Sequence, residues 1–218
     1  MLETGIAAWD RADNADGRLD SLTLGDATMR VGLDQQTELQ VGFTSFVHQR
    51  SRDGAGGVAS SGGSGDATLG LRHGITGPNG RAAVQAFVTL PVGHGPGTAG
   101  DWGAGVLVPV ALPLPQGFEL DLTPQADAAV NASGAGRHLA YGGVVGLAHD
   151  LAPRLSGTME LAAFRDDDPG GHSTDARLAA SVAWQAGAGL QLDLEVDKGL
   201  SAAAPDHTIA FGIAWRVR

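Results

Sequence analysis

Between Phe118 and Asn131 apolar and polar positions alternate: Phe118, Leu120, Leu122, Ala126, Ala128 and Val130 share one face, and Glu119, Asp121, Thr123, Gln125, Asp127 and Asn131 the other. Leu190 to Lys198 repeats the pattern, with Leu190, Leu192, Leu194 and Val196 set against Gln191, Asp193, Glu195 and Asp197. A period of two predicts strands with one greasy and one wet face, and no 3.6-residue stripe is sustained anywhere. The chain is therefore predicted to be all-β. The same rule gives twelve strands, over 2–11, 18–33, 37–50, 65–76, 81–92, 101–113, 118–131, 139–151, 155–166, 173–185, 190–199 and 207–217. Most reach ten residues, longer than strands of soluble sheets and about right for a tilted strand crossing a bilayer. In the second strand the apolar phase slips between Leu24 and Ala27, which predicts a bulge near Gly25.

The connections alternate in length. Short ones are Asp34-Gln35-Gln36, Gly77-Pro78-Asn79-Gly80, Leu114-Pro115-Gln116-Gly117, Ala152-Pro153-Arg154 and Ala186-Gly187-Ala188-Gly189. Longer, Gly-rich ones span 12–17, 51–64, 93–100, 132–138, 167–172 and 200–206. With an even strand count, all tight turns and both termini fall at one end. This is the asymmetry of transmembrane barrels with short periplasmic turns and longer extracellular loops.

The apolar register carries Leu39, Val41, Phe43, Val47, Val84, Ala86, Val88, Leu90, Trp102, Val106, Val108, Val110, Leu112, Leu120, Leu122, Leu192, Leu194, Ile209, Phe211, Ile213, Trp215 and Val217. The opposite register carries Arg30, Glu38, Gln40, Asp66, Arg72, Gln85, Glu119, Asp121, Gln125, Asp127, Glu160, Asp175, Arg177, Asp193, Glu195, Asp197 and Arg216. A soluble barrel with its apolar set inside has the same periodicity. Two physical points favour apolar residues outside, facing lipid, and polar residues lining a lumen. A closed twelve-strand barrel is too wide for side chains to fill, since eight strands already reach that limit. Many inward positions are also Gly: Gly70, Gly103, Gly105, Gly142, Gly146 and Gly212 would make a poor packed core but can line a channel.

Composition agrees with one domain, 1–218: 34 of 218 residues are Gly, 43% are hydrophobic and 17% charged, with no apolar run long enough for a membrane helix. The formal charge of -10 argues against nucleic acid, whose phosphates need clustered Lys and Arg. With no cysteine, disulfide frameworks and thiolate metal sites are excluded. Met1 is followed at once by Leu2-Glu3-Thr4-Gly5, without a basic stretch and apolar run, so the expectation is a mature form whose export signal is absent from this chain.

Gly65-Asp66-Ala67-Thr68-Leu69-Gly70-Leu71-Arg72, Phe87-Val88-Thr89-Leu90-Pro91-Val92-Gly93, Gly100-Asp101-Trp102-Gly103-Ala104-Gly105 and Leu122-Thr123-Pro124-Gln125 resemble, in order and spacing, the outer-membrane transporter family of the MetA pathway of phenol degradation. The likeness continues through Gly136-Arg137-His138-Leu139-Ala140-Tyr141-Gly142 and Ala183-Trp184-Gln185, so it covers most of the chain. The resemblance implies a bacterial outer-membrane barrel associated with uptake of small compounds, aromatic ones among them. Membrane lipid or detergent and the barrel-insertion machinery would be its partners. The chain departs from the outer-membrane pattern in ending Trp215-Arg216-Val217-Arg218 instead of on an aromatic residue. With 5% aromatic residues, its interfacial girdles are sparse.

On the wet register the acids Glu38, Asp66, Glu119, Asp121, Asp127, Glu160, Asp175, Asp193, Glu195 and Asp197 outnumber Arg30, Arg72, Arg177, Lys198 and Arg216. Such a wall concentrates cations and repels anions, unless acids and bases pair across strands and fill the lumen. His48, His94, His138, His172 and His207 map to the long-loop end near Asp53, Asp101, Asp166, Asp167, Asp168 and Asp206, but on separate loops without metal-site spacing, so no metal is expected. Ser60-Ser61 lies in a Gly-rich stretch without a nucleophile-elbow motif, and Gly93-His94-Gly95-Pro96-Gly97 lacks the Lys and helix of a phosphate loop. Neither an enzyme nor a cofactor is expected. The leading expectation is a passive outer-membrane channel for small solutes with an acidic, cation-preferring lumen. The alternative is a structural or binding barrel, soluble or engineered, whose lumen is closed by side chains.

Overall fold

The computed structural model describes residues 1–15, 17–77 and 80–216. It contains fourteen strand segments: β1 (Leu2–Asn14), β2 (Gly17–Gly32), β3 (Thr37–Asp53), β4 (Val58–Gly63), β5 (Ala67–Gly74), β6 (Ala83–Leu90), β7 (Gly103–Leu107), β8 (Val110–Pro113), β9 (Phe118–Val130), β10 (Arg137–Ala152), β11 (Leu155–Asp168), β12 (Gly171–Gly187), β13 (Leu190–Gly199) and β14 (His207–Trp215). They occupy twelve barrel positions, because β4 and β5 both pair with β3, and β7 and β8 both pair with β9. Adjacent barrel positions are antiparallel, and β14 pairs with β1 to close the ring. Closure leaves no unpaired edge, the condition for a sheet to cross a bilayer.

The interruption between β7 and β8 has a covalent cause. Val108 donates its N–H to Pro124 O at 3.0 Å, and Pro124 has no N–H to return. The register is unchanged across the gap, since Leu107 opposes Gln125 and Val110 opposes Leu122.

A second irregularity runs across four barrel positions. Ile6, Gly25, Ser45 and Gly65 follow one another in register, and at this level every strand from β1 to β4/β5 switches which parity faces inward. Because the extra residues are matched, these strands keep their mutual register, while the pairing of β1 with β14 steps by one between Gly5 and Ala7. Gly25 adopts φ 62, a left-handed backbone that glycine takes without strain, and Ser45 Oγ donates to its carbonyl at 3.1 Å. The phase slip at Gly25 is thus one part of a kink shared by its neighbours. It also corrects the placement of Val47. That side chain follows the kink, lies on the inward register and is 8% exposed, while Phe46 takes the outward position at 41%.

Three connections that were expected to be long loops are hairpins whose strands continue past them. The stretch 51–64 holds the end of β3 and all of β4, paired from Val47–Gly63 to Arg52–Val58 around a turn closed by Asp53 Oδ1 with the Ala55 and Gly57 amides. Likewise β1 and β2 are paired to Asn14–Gly17, and β11 and β12 to Asp168–Gly171. Polar, Gly-rich composition suggested loops there, but above a bilayer a strand has no need of alternating hydrophobicity. The connections 91–102, 131–136 and 200–206 remain loops at the same end, and the short turns and Met1 lie at the other. Val217 and the turn residues Pro78 and Asn79 fall outside the described residues.

The distribution of burial is inverted relative to a soluble protein. Among the described residues no large side chain is fully buried, while Leu39, Phe43, Trp102, Val106, Leu194, Ile209, Phe211 and Trp215 are all about 40% exposed or more. The same outward register holds Val41, Val88, Leu90, Val108, Leu120, Leu122, Leu192 and Ile213, which are half-exposed. A continuous apolar outer belt with no packed interior is stable only in lipid, and the chain is a transmembrane β-barrel.

Candidate transport pathway

The inward register follows directly from the pairing. Starting on β1, one row of the wall reads Asp10, Thr208, Asp197, Ala179, Glu160, Gly146, Asp121 and Ala111, each residue opposite the next. Acids occupy every second strand and small residues the strands between. A Cβ built on Gly146 would stand 3.3 Å from Glu160 Oε1 and 3.5 Å from Asp121 Cβ, so the Glu160 side chain leans over that glycine beside Asp121. Thr208 Oγ1 donates to Asp10 Oδ1 at 2.6 Å, while Asp197 Oδ1 is buried without a hydrogen-bond partner. Glu195 and Glu119 face inward one row nearer the turns.

Asp121, Glu160, Asp193, Glu195, Asp197 and Glu119 make no ion pair among the described residues. The bases near them are otherwise engaged. Arg177 binds both carboxylate oxygens of Asp175, at 2.7 and 2.5 Å. On the opposite wall, near the turns, Arg30 bridges Glu3 at 2.8 Å and Glu38 at 3.1 Å, with Arg72 4.0 Å from Glu38. Gln40 extends this cluster, donating to Glu38 at 2.7 Å and to Gln85 at 3.4 Å. The result is a charge-balanced wall facing an acidic one.

The remaining candidates serve other contacts. Gln125 donates to Asp127 Oδ2 at 2.8 Å, and Gln191 to Asp193 Oδ1 at 2.7 Å. Asp66 accepts the Gly93 and Ala99 amides at 3.0 and 2.9 Å and so anchors the loop over β5 and β6. Arg216 lies past the end of β14, where its N–H donates to Gly189 O at 2.8 Å, at the turn-end mouth. Open space runs along β14, β1 and β2, where cavities of about 340 and 310 Å³ meet at Gly5, Asp26, Asp193 and Gly212. A third, of about 260 Å³, continues from Asp26 past Gln40, Gln85 and Phe87. Small residues on one wall leave this space, and polar side chains border it.

Glu3, Asp10 and Asp26 also belong to the inward set but escape a reading of alternation alone. All three flank the kink at Ile6 and Gly25, which breaks the pattern in β1 and β2. Phe87 and Phe164 face inward too, Phe87 beside the third cavity and Phe164 opposite Asp175.

At the long-loop end, the histidines do not converge. His138 is held between Asp166 (3.0 Å) and Asp168 (3.3 Å), His172 is 3.3 Å from Asp167, His94 contacts Ser64 Oγ at 3.0 Å, and His48 stacks on Phe46 on the outer face. Among the described residues no group of three or more His, Asp or Glu side chains is arranged to hold a metal.

The family model described as "Putative MetA-pathway of phenol degradation" matches residues 17–217. The chain belongs to this family. The fold is shared with the COG4313 outer membrane channel from Pseudomonas putida F1 (TM-score 0.72, 15% identity, 98% of this chain and 94% of that one). It is shared also with the NanC porin (TM-score 0.59, 8% identity, 100% of both chains) and with the beta domain of the Bordetella autotransporter BrkA (TM-score 0.64, 12% identity, 98% and 97%). No curated protein matches the chain. By fold it is a closed transmembrane β-barrel like these outer-membrane proteins.

Proposed function

We propose that the barrel is a passive channel for small solutes that prefers cations to anions and admits small organic compounds. The observation that carries this reading is the inward row Asp121, Glu160 and Asp197, whose carboxylates make no ion pair among the described residues and have only small residues between them, while Asp193 and Glu195 on the same strand as Asp197 border the open space. Fixed negative charge in a narrow aqueous path raises the local concentration of cations and lowers that of anions. The charge-balanced cluster of Arg30 and Arg72 with Glu3 and Glu38 adds polarity without net selectivity. Phe87, at the cavity bordered by Gln40 and Gln85, gives an apolar surface to the carbon skeleton of an organic solute. The named structural relatives supply the precedent of a channel and a porin.

Swelling of liposomes containing the purified barrel tests this. Small organic cations are expected to enter faster than anions of the same size, with neutral compounds between. Equal entry of all three classes, or none, contradicts the proposal.

A further inference from the structure

On the outer surface of β1–β4, immediately past the apolar belt, the register stacks a basic patch that the channel does not use. Above the kink the outward residues of β2 and β3 pair as Leu24–Phe46, Leu22–His48, Asp20–Arg50 and Arg18–Arg52. On β1 the same rows are Ala7, Trp9, Arg11 and Asp13. The lower rows are greasy and the upper rows charged.

The charges there do not cancel. Arg11 pairs with Asp20 at 3.0 Å and Arg18 with Asp13 at 2.8 Å, which leaves Arg50 and Arg52 exposed and without an ion pair among the described residues. Arg52 also stands directly opposite Arg18. Like charges facing each other across a strand pair repel unless an anion lies between them. Their height is specific too. From Leu39, low in the belt, to Arg50 the tilted strand rises roughly 25–30 Å, just beyond an apolar band of about 25 Å. Lipid phosphates lie at that depth. Arg11 over the Trp9 ring, 4.7 Å from its centroid, marks the same boundary between greasy and wet surface.

We infer that Arg50, Arg52 and Arg18 form a binding site for the phosphate-bearing headgroup of an outer-leaflet lipid, whose acyl chains lie along Phe46, Leu24 and Leu22. Guanidinium groups suit this task because their planar forks bind phosphate oxygens in pairs. The inference rests on the membrane orientation given by the long-loop end, and it is independent of what the lumen passes.

Native mass spectrometry of the barrel in detergent, with added diphosphoryl lipid A, tests the site. The wild type is expected to retain the lipid at least tenfold better than an Arg50→Gln, Arg52→Gln double variant. Arg165→Gln, which removes an outward charge already paired with Asp167 at 2.9 Å, should leave retention unchanged. Dephosphorylated lipid A is expected to be lost, and inorganic phosphate is not expected to compete. Equal retention by the double variant, an equal loss in Arg165→Gln, or displacement by inorganic phosphate would each overturn the inference. Heat-modifiable gel mobility reports whether each variant is still a closed barrel, and salt-gradient currents report the channel separately. A barrel that conducts but holds no lipid therefore refutes this site alone.

Discussion

Glu160 leans over Gly146, which stands between it and Asp121 on β10 and puts no side chain between the two acids. On the proposed function, Gly146 is a control point for solute passage. Gly146→Leu places a branched side chain where the acids meet and is expected to cut single-channel conductance severalfold while the barrel still folds. Conductance at the wild-type level would show that solutes pass elsewhere.

Gly142 sits four residues away on the same strand face but in a different environment. A Cβ there would lie 2.0 Å from Ala163 O and 2.7 Å from Phe164 Cα, both backbone atoms that cannot rotate aside. Gly142→Ala is expected to destabilise the barrel by about 1–3 kcal/mol, the usual range for overpacking. The measurement is the denaturant midpoint of the heat-modifiable form, and an unshifted midpoint would mean that the strands separate without cost.

Leu194 and Glu195 are neighbours on β13 that face opposite solvents. Leu194→Arg puts a charge against lipid and is expected to cost about 2–4 kcal/mol of folding free energy if it lies near the bilayer midplane. Glu195→Arg stays within the lumen and should leave stability nearly unchanged while lowering cation preference. If the two substitutions have the same effect on stability, the inward and outward assignments fail.

At the outer rim, the amides of Ala132 and Gly170 donate to the Asp168 carboxylate at 2.7 and 2.6 Å. These bonds, with His138 and His172 nearby, hold its pKa below the ordinary aspartate value of 3.8. A depressed folded pKa means that the stabilisation is complete above the ordinary value and is lost as pH falls through the lowered one. Acidification is therefore expected to release loop 131–136 from the β11–β12 hairpin only below pH 3.8. The Ala132 and Gly170 amide resonances should titrate together, and a midpoint above that value would contradict the assignment.

Strands far from the kink were legible in the sequence because lipid outside and water inside enforce strict alternation. Phe118–Val130 and Leu190–Gly199 carry that signal almost without error. The signal fails where its cause is absent. Val58–Gly63 lies past the apolar belt, so no alternation marks it as a strand, and its Gly-Ser composition resembles a loop. Val47, Glu3, Asp10 and Asp26 were obscured because one extra residue in each strand reverses the inward parity. The acids of the lumen were visible one by one, but their alignment into a row depends on register between strands, which alternation within a strand does not encode.

The reversal potential of the wild-type channel in a planar bilayer under a potassium chloride gradient tests the central claim most directly. The account predicts a potential whose sign reports cation preference, and a shift of that potential toward zero when Asp121, Glu160 and Asp197 are replaced together by their amides. Anion preference in the wild type, or a closed barrel that passes no current, would contradict it.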